Sequence, residues 1–310
     1  MSRILFIDAN QYLNLFRTDS GKKLLDALEE QQKYIFVTTQ IVYEVERNKV
    51  REVASFLAKR QLKLDSVAVP DHLLSTTDST VEDMRKQLRA IGKSVDKTKE
   101  EFRKLGNDLL KKVSRSEDEV SKRLRAIFDH AVSADTEELR HAEMRKKIGN
   151  PPGKQNGPLG DQISWEQLLT KCRSKPKLWI VTNDSDFATA HDGKTYLNAL
   201  LYLELRNVYG ATPEVFCFNN IPDAFEHFAK TERVKADKLP TPDEAAQIKK
   251  EQASLPPLGW LTGYDDGGFS AIQNAFRSRD SELLRAALGS QIVSEEVIFP
   301  TGPGDSNEKL

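Results

Sequence analysis

Two stretches of the chain stay apolar for several residues and then turn abruptly acidic. Ile4 to Ile7 run into Asp8, and Leu178 to Val181 lead through Thr182 and Asn183 to Asp184 and Asp186. Short apolar runs rich in β-branched and aromatic residues predict buried strands. The segments 34 to 38 (YIFVT) and 214 to 218 (EVFCF) have the same character. Between the first two strands lies GKKLLDALEEQ, whose apolar residues fall at helical spacing, so the amino-terminal region reads as a β-α-β unit. Residues 40 to 60, with Ile41, Val42, Val45, Val53 and Phe56, predict a helix, as does the neighbourhood of Ala224, Phe225 and Phe228. Four strands interleaved with helices predict a central parallel sheet in an open three-layer α/β/α fold.

From Val81 a different period takes over. Met84, Leu88, Ile91, Val95, Phe102, Leu105 and Leu109 follow the 3,4 alternation of a heptad, with Thr98 in one slot. The register breaks near residue 113. Ser116 and Glu119 then have the form of a capping box, followed by Val120, Leu124, Ile127 and Ala131 at helical spacing. The pattern predicts an antiparallel helical hairpin, of coiled-coil type, inserted at about residues 75 to 140. Residues 81 to 149 carry 18 Lys and Arg against 14 Asp and Glu. Such mixed charge describes first a solvated helical face, with an arm facing nucleic acid, a second copy or a regulatory partner as the alternative.

These patterns divide the chain into a domain of residues 1 to 230, carrying the hairpin, and an extension of residues 231 to 310. The extension is rich in Lys, Asp, Pro and Glu, with helical pieces expected at 242 to 253 and 279 to 288 and a disordered end. Trp260 and Tyr264 within it suit anchoring to the main domain, or stacking on bases. The whole chain has 310 residues and a net charge of −1, so any nucleic-acid-binding surface must be local. Cys172 and Cys217 lack metal-ligand spacing and read as free thiols of a reducing compartment. With neither a run of about 18 apolar residues nor a signal-peptide pattern, a cytoplasmic protein without membrane contact is expected.

In a parallel α/β sheet, ligands bind beyond the carboxyl ends of the strands. Asp8 and Asp184 fall at that edge, and two more acids are placed to join them. Glu44 lies early in the helix after the second strand, in QIVYEVERN, and Asp161 opens a helix in GDQISWEQLL after the segment GNPPGKQNGPLG. Asp161 also fits a plain helix-dipole role, worth about 0.3–1 kcal/mol. Asp186 fits either a fifth place in the cluster or the cap of a helix starting at Phe187. Gathered together, such carboxylates repel unless a cation or protons intervene. With no His or Cys among them, the fitting cation is hard, Mg²⁺ or Mn²⁺. That chemistry suits phosphodiester hydrolysis.

Asp-Ala-Asn at 8 to 10, Glu44 in YEVERN, the Gly160-Asp161 pair leading into a Trp-containing helix, and Thr-Asn-Asp-Ser-Asp-Phe at 182 to 187 resemble, in order and spacing, the PIN-domain nucleases. The likeness covers roughly 1 to 60 and 140 to 229 and is closest to larger bacterial PIN-like proteins. It implies a Mg²⁺- or Mn²⁺-dependent nuclease, with RNA favoured over DNA, leaving 5′-phosphate and 3′-hydroxyl ends. It further implies that Asp8, Glu44, Asp161 and Asp184 are the catalytic, metal-binding acids, that Asp186 is a fifth ligand, and that Asn10 and Thr182 orient an acid or a water. Arg47 and Lys154, the latter in the Pro-Gly-hinged loop before Asp161, are candidate phosphate contacts, and Arg47 is at least as well suited to a salt bridge in solvent. The small PIN toxins lack the hairpin and the extension, so a toxin role does not carry over. A catalytically inactive PIN-like scaffold, binding partners through the arm and tail, is the alternative, against which stands the presence of all four acids. A phospho-acceptor receiver domain fits poorly, because Phe218 is followed by Asn219, Asn220 and Ile221 where such a domain needs a lysine.

Overall fold

The computed structural model of the chain describes residues 3–59, 79–154 and 157–255. Trp260, Tyr264, the helix expected at 279 to 288 and the terminal segment lie outside the described residues. In chain order the elements are β1 (Arg3–Ile7), α1 (Ala9–Arg17), a 3-10 turn (Gly21–Lys23), α2 (Leu24–Gln31), a second 3-10 turn (Gln32–Tyr34), β2 (Ile35–Phe36) and α3 (Thr39–Lys59). Then come α4 (Ser79–Ser114), α5 (Glu119–Phe128), α6 (Thr136–Ile148), α7 (Gly160–Cys172), β3 (Lys177–Val181), β4 (Ala188–His191) and β5 (Lys194–Leu197). The chain continues through α8 (Ala199–Tyr209), β6 (Val215–Phe218), α9 (Ile221–Glu232) and α10 (Pro242–Ala253).

The four predicted apolar runs form one parallel sheet in the order β2-β1-β3-β6, flanked by helices, as the alternation of strands and helices requires. β1 and β3 sit in its centre, and Ile4 to Ile7 and Leu178 to Val181 are buried on both faces. The register pairs Arg3 with Lys177 through to Ile7 with Val181, and Leu178 with Val215 through to Val181 with Phe218. The ladder runs one step further at the carboxyl edge, where the Asp8 N–H donates to Val181 O and the Thr182 N–H to Phe218 O, both at 2.9 Å. Asp8 and Thr182 are therefore held by neighbouring central strands. On one face Trp179 packs edge-on against Phe228 and donates its indole N–H to His227 Nδ1 at 3.0 Å, which gives that histidine a structural use.

The inserted region is helical, but its pairing differs from the simple expectation. The long helix α4 finds its antiparallel partner in α3, not in the segment that follows it. Gly106 is buried where an added Cβ would lie 3.5 Å from Leu57, and at the base of the pair Lys49 Nζ reaches Ser116 Oγ at 2.5 Å and Ser121 Oγ at 3.2 Å. One edge of the heptad, Leu88, Val95, Phe102 and Leu109, is half-buried, while Met84, Ile91 and Leu105 on the other edge are exposed. α5 instead lies against the main domain. Arg123 pairs with Asp26 and Glu29 on α2, and Phe128 meets Tyr12 edge-on. The cap of α5 is Asp118, which accepts from the Ser121 N–H, so the expected Ser116 cap is displaced; Ser116 takes a positive φ and serves Lys49.

Compact packing extends through Leu255. The helix expected at 242 to 253 is present as α10, started by a capping box of Thr241 and Glu244, and it buries Ile248. Glu251 accepts from both the backbone N–H and the hydroxyl of Ser20, at 3.0 and 2.8 Å, and Glu244 pairs with Lys23. Cys172 is buried and Cys217 half-buried, both as free thiols. Among the described residues no helix is long and apolar enough to cross a membrane.

Candidate active site

The turn from β1 into α1 puts Asp8 at the N-cap position, yet its side chain makes no capping hydrogen bond. Its carboxylate accepts instead from the Thr182 hydroxyl at 2.9 Å and from the Asn10 amide at 3.2 Å, both on Oδ2. Thr182 completes a relay by accepting the Asp184 N–H at 3.0 Å, and Asp184 Oδ1 in turn accepts the Asp186 N–H at 3.0 Å. The chain thus leaves β3 through a turn built by its own polar side chains and enters β4. The helix expected at Phe187 does not form, and Asp186 caps nothing. Ala188 to Leu197 make an antiparallel hairpin, with Thr189 opposite Tyr196. Phe187 itself is buried against Phe6 and Trp165.

Glu44 arrives from the second turn of α3, half-buried, and Asp161 from the first turn of α7, where no side chain caps the helix. These acids, far apart in the chain, share one neighbourhood. Burial raises the Asp8 carboxyl to about 7, with Glu44 and then Asp184 adding repulsion and the Thr182 hydrogen bond opposing. Burial also raises Glu44 to about 7, reinforced by Asp161 and Asp184 and countered by Arg47. Asp161 is raised to about 7 by burial and by Asp8, Asp184 and Asp186, with Lys154 acting against them. Asp186 is raised by burial and by Asp184, again moderated by Lys154. Each of the five predicted acids therefore lies within electrostatic reach of at least one other. Arg47 and Lys154 are exposed at its margin.

As the side chains stand, no three Asp, Glu, His or Cys groups among the described residues close on a common point in metal-ligating geometry. The carboxylates make up a mutually repelling cluster, the acid cup. Two buried oxygens at the cup have no hydrogen-bond partner, Asp186 Oδ2 and Tyr12 Oη. Tyr12 was not legible as a site residue, since in sequence it is one more large residue on the buried face of α1. Its phenol is held protonated by burial and by the adjacent charge of Asp8.

A parallel sheet with acids at the carboxyl ends of its central strands defines an α/β fold with a cluster of acids at its edge. The family model of the PIN domain matches residues 5–187, more than half of the chain, so the chain belongs to the PIN-domain family, whose members are generally nucleases. No curated protein and no solved structure matches it.

Proposed function

We propose that the chain is a divalent-cation-dependent nuclease that hydrolyses phosphodiester bonds of RNA. The convergence of Asp8, Glu44, Asp161 and Asp184 from four separate segments into one mutually repelling, part-buried cup carries the reading. Holding such acids together costs free energy, and a site of this kind persists where a cation relieves it. The donors fit Mg²⁺ or Mn²⁺: they are all oxygens, and Asp186 Oδ2 is buried without a partner. Asp8, Glu44, Asp161 and Asp184 would hold the ion, with Asp186 at the edge. When bound there, the ion supplies Lewis acidity to a phosphoryl oxygen and lowers the pKa of a water. The preference for RNA comes from the family resemblance.

The chain's own residues prepare the site. Thr182 and Asn10 fix the Asp8 carboxylate by donating to a single oxygen, which leaves Oδ1 directed elsewhere. Lys154 and Arg47 place cations at the rim, where a phosphodiester would lie. Purified protein with Mn²⁺ is expected to cleave labelled single-stranded RNA, leaving 5′-phosphate ends, and to stop on addition of a chelator. Absence of cleavage on both RNA and DNA across Mg²⁺ and Mn²⁺ would remove the enzyme reading.

Thr182→Val keeps the shape of the side chain but deletes the relay between Asp8 and Asp184. Partners that orient metal-binding carboxylates typically matter about 10–100-fold. Cleavage by the variant is expected to fall within that range, with a higher Mn²⁺ concentration needed for half-maximal rate. A Mn²⁺ dependence identical to that of the unaltered protein would show that the relay is only structural.

A further inference from the structure

The segment between α6 and α7 is pinned from below by a buried cation. Arg145 is 6% exposed, and its guanidinium makes three separate connections. Nε donates to Glu166 Oε1 at 2.8 Å, Nη2 to Glu204 Oε2 at 3.0 Å and Nη1 to the carbonyl of Pro151 at 2.6 Å. Glu166 lies on α7, the helix that opens with Asp161, and Glu204 on α8. The same oxygen of Glu204 also accepts the indole N–H of Trp165 at 2.8 Å. Two further restraints act on the same stretch. Gly153 has φ +94° and lies so close to Gln162 that a Cβ there would clash with its side-chain amide, and Lys146 Nζ donates to the Gly157 carbonyl. The next residue after Gly153 is Lys154. Its charge reaches Asp161 and Asp186, yet among the described residues it forms no ion pair.

We infer that Arg145 is a positioning residue: by joining the Pro151 carbonyl to α7 and α8 it fixes the Gly149 to Lys154 segment so that Lys154 stands at the rim of the acid cup as a ligand for the substrate's phosphate. A guanidinium suits this task because its donors are spread over three nitrogens in a rigid fork, so Nε, Nη1 and Nη2 each face a different partner, whereas an ammonium offers all its donors from one atom. The catalytic consequence rests on the nuclease reading; the restraint on the segment does not.

Arg145→Lys keeps a positive charge between Glu166 and Glu204 while releasing Pro151, so it separates positioning from charge balance. Trypsin cleavage after Lys154 in the full chain is expected to speed up by about ten-fold or more, with the melting temperature within a few degrees of the unaltered protein. On RNA with Mn²⁺, KM is expected to rise about ten-fold with kcat within about two-fold. Lys154→Ala is expected to produce the same KM change and to reduce the salt-dependence slope of binding by about one. The double variant is then no worse than Lys154→Ala alone, because both changes remove one interaction. Unchanged protection from trypsin, or KM effects that add in full, overturns the assignment. If no nucleic acid is cleaved, the nuclease reading falls by its own assay, and the trypsin result still decides whether Arg145 restrains the segment.

Discussion

Asp8→Asn is expected to lower RNA cleavage by at least about a thousand-fold while leaving the protein as stable as before or more so. A metal-bound oxygen contributes several kcal/mol to stabilising the transition state, and each 1.4 kcal/mol is about ten-fold in rate. The direction of the stability effect follows from the field at the site. Asp8 is 6% exposed, and its folded-state pKa is raised from 3.8 to about 7 by burial and by Glu44 and Asp184. A carboxyl raised in this way favours the folded state below its unfolded pKa, near 4, and that contribution is lost as pH climbs through about 7. The neutral amide avoids that loss. Without divalent cations, the melting temperature of the unaltered chain is therefore expected to fall between pH 5 and pH 8, and that of Asp8→Asn to fall less. The amide oxygen can still accept from Thr182 and Asn10, so the local geometry has no reason to collapse. A variant that cleaves at the normal rate, or one that unfolds at lower temperature at pH 8, contradicts the placement of Asp8 in the cup.

Cation binding should be the most pH-sensitive property of the molecule. Asp8, Glu44 and Asp161 each titrate at about 7 in the cation-free protein, raised chiefly by burial and then by one another. An incoming Mn²⁺ must displace their protons. Between pH 6 and pH 8, each carboxyl that has to ionise contributes about ten-fold to the apparent affinity, and the three titrate as a coupled set. Affinity is expected to rise at least ten-fold over that interval, toward a thousand-fold if all three ionise fully. Calorimetric titration in buffers of different ionisation enthalpy counts the protons released, with more than one per ion expected at pH 6. Affinity that stays flat from pH 6 to pH 8 would rule out ion binding by these carboxyls.

How far the sequence could be read depended on the range over which each feature is determined. The sheet was legible because Ile4 to Ile7 and Leu178 to Val181 are buried on both faces, a condition written into consecutive residues. The acids were legible because strand ends and helix starts are local events. The β4–β5 hairpin was missed: its residues, ATAH and KTYL, are small or polar, and its outer face is exposed. Helix α8 was missed because ALLYLELRNVY is apolar over much of its circumference and shows only a weak helical stripe. The pairing of the inserted helices depends on partners distant in sequence. Arg123 is 94 residues from Glu29, and Lys49 is 67 from Ser116. No period within 81 to 131 contains that information. Arg145 is a similar case, one basic residue in a run of three until tertiary packing separates it from Lys146 and Lys147.

The segment matched to the family ends at Phe187, whereas the sheet ends at β6. A chain cut at Phe187 would bare the amides and carbonyls of Leu178 to Val181 that now bond to Val215 to Phe218. An unguarded rim of that kind recruits neighbouring copies into insoluble material. The span that carries the family likeness is thus shorter than the span that can be handled as a fragment.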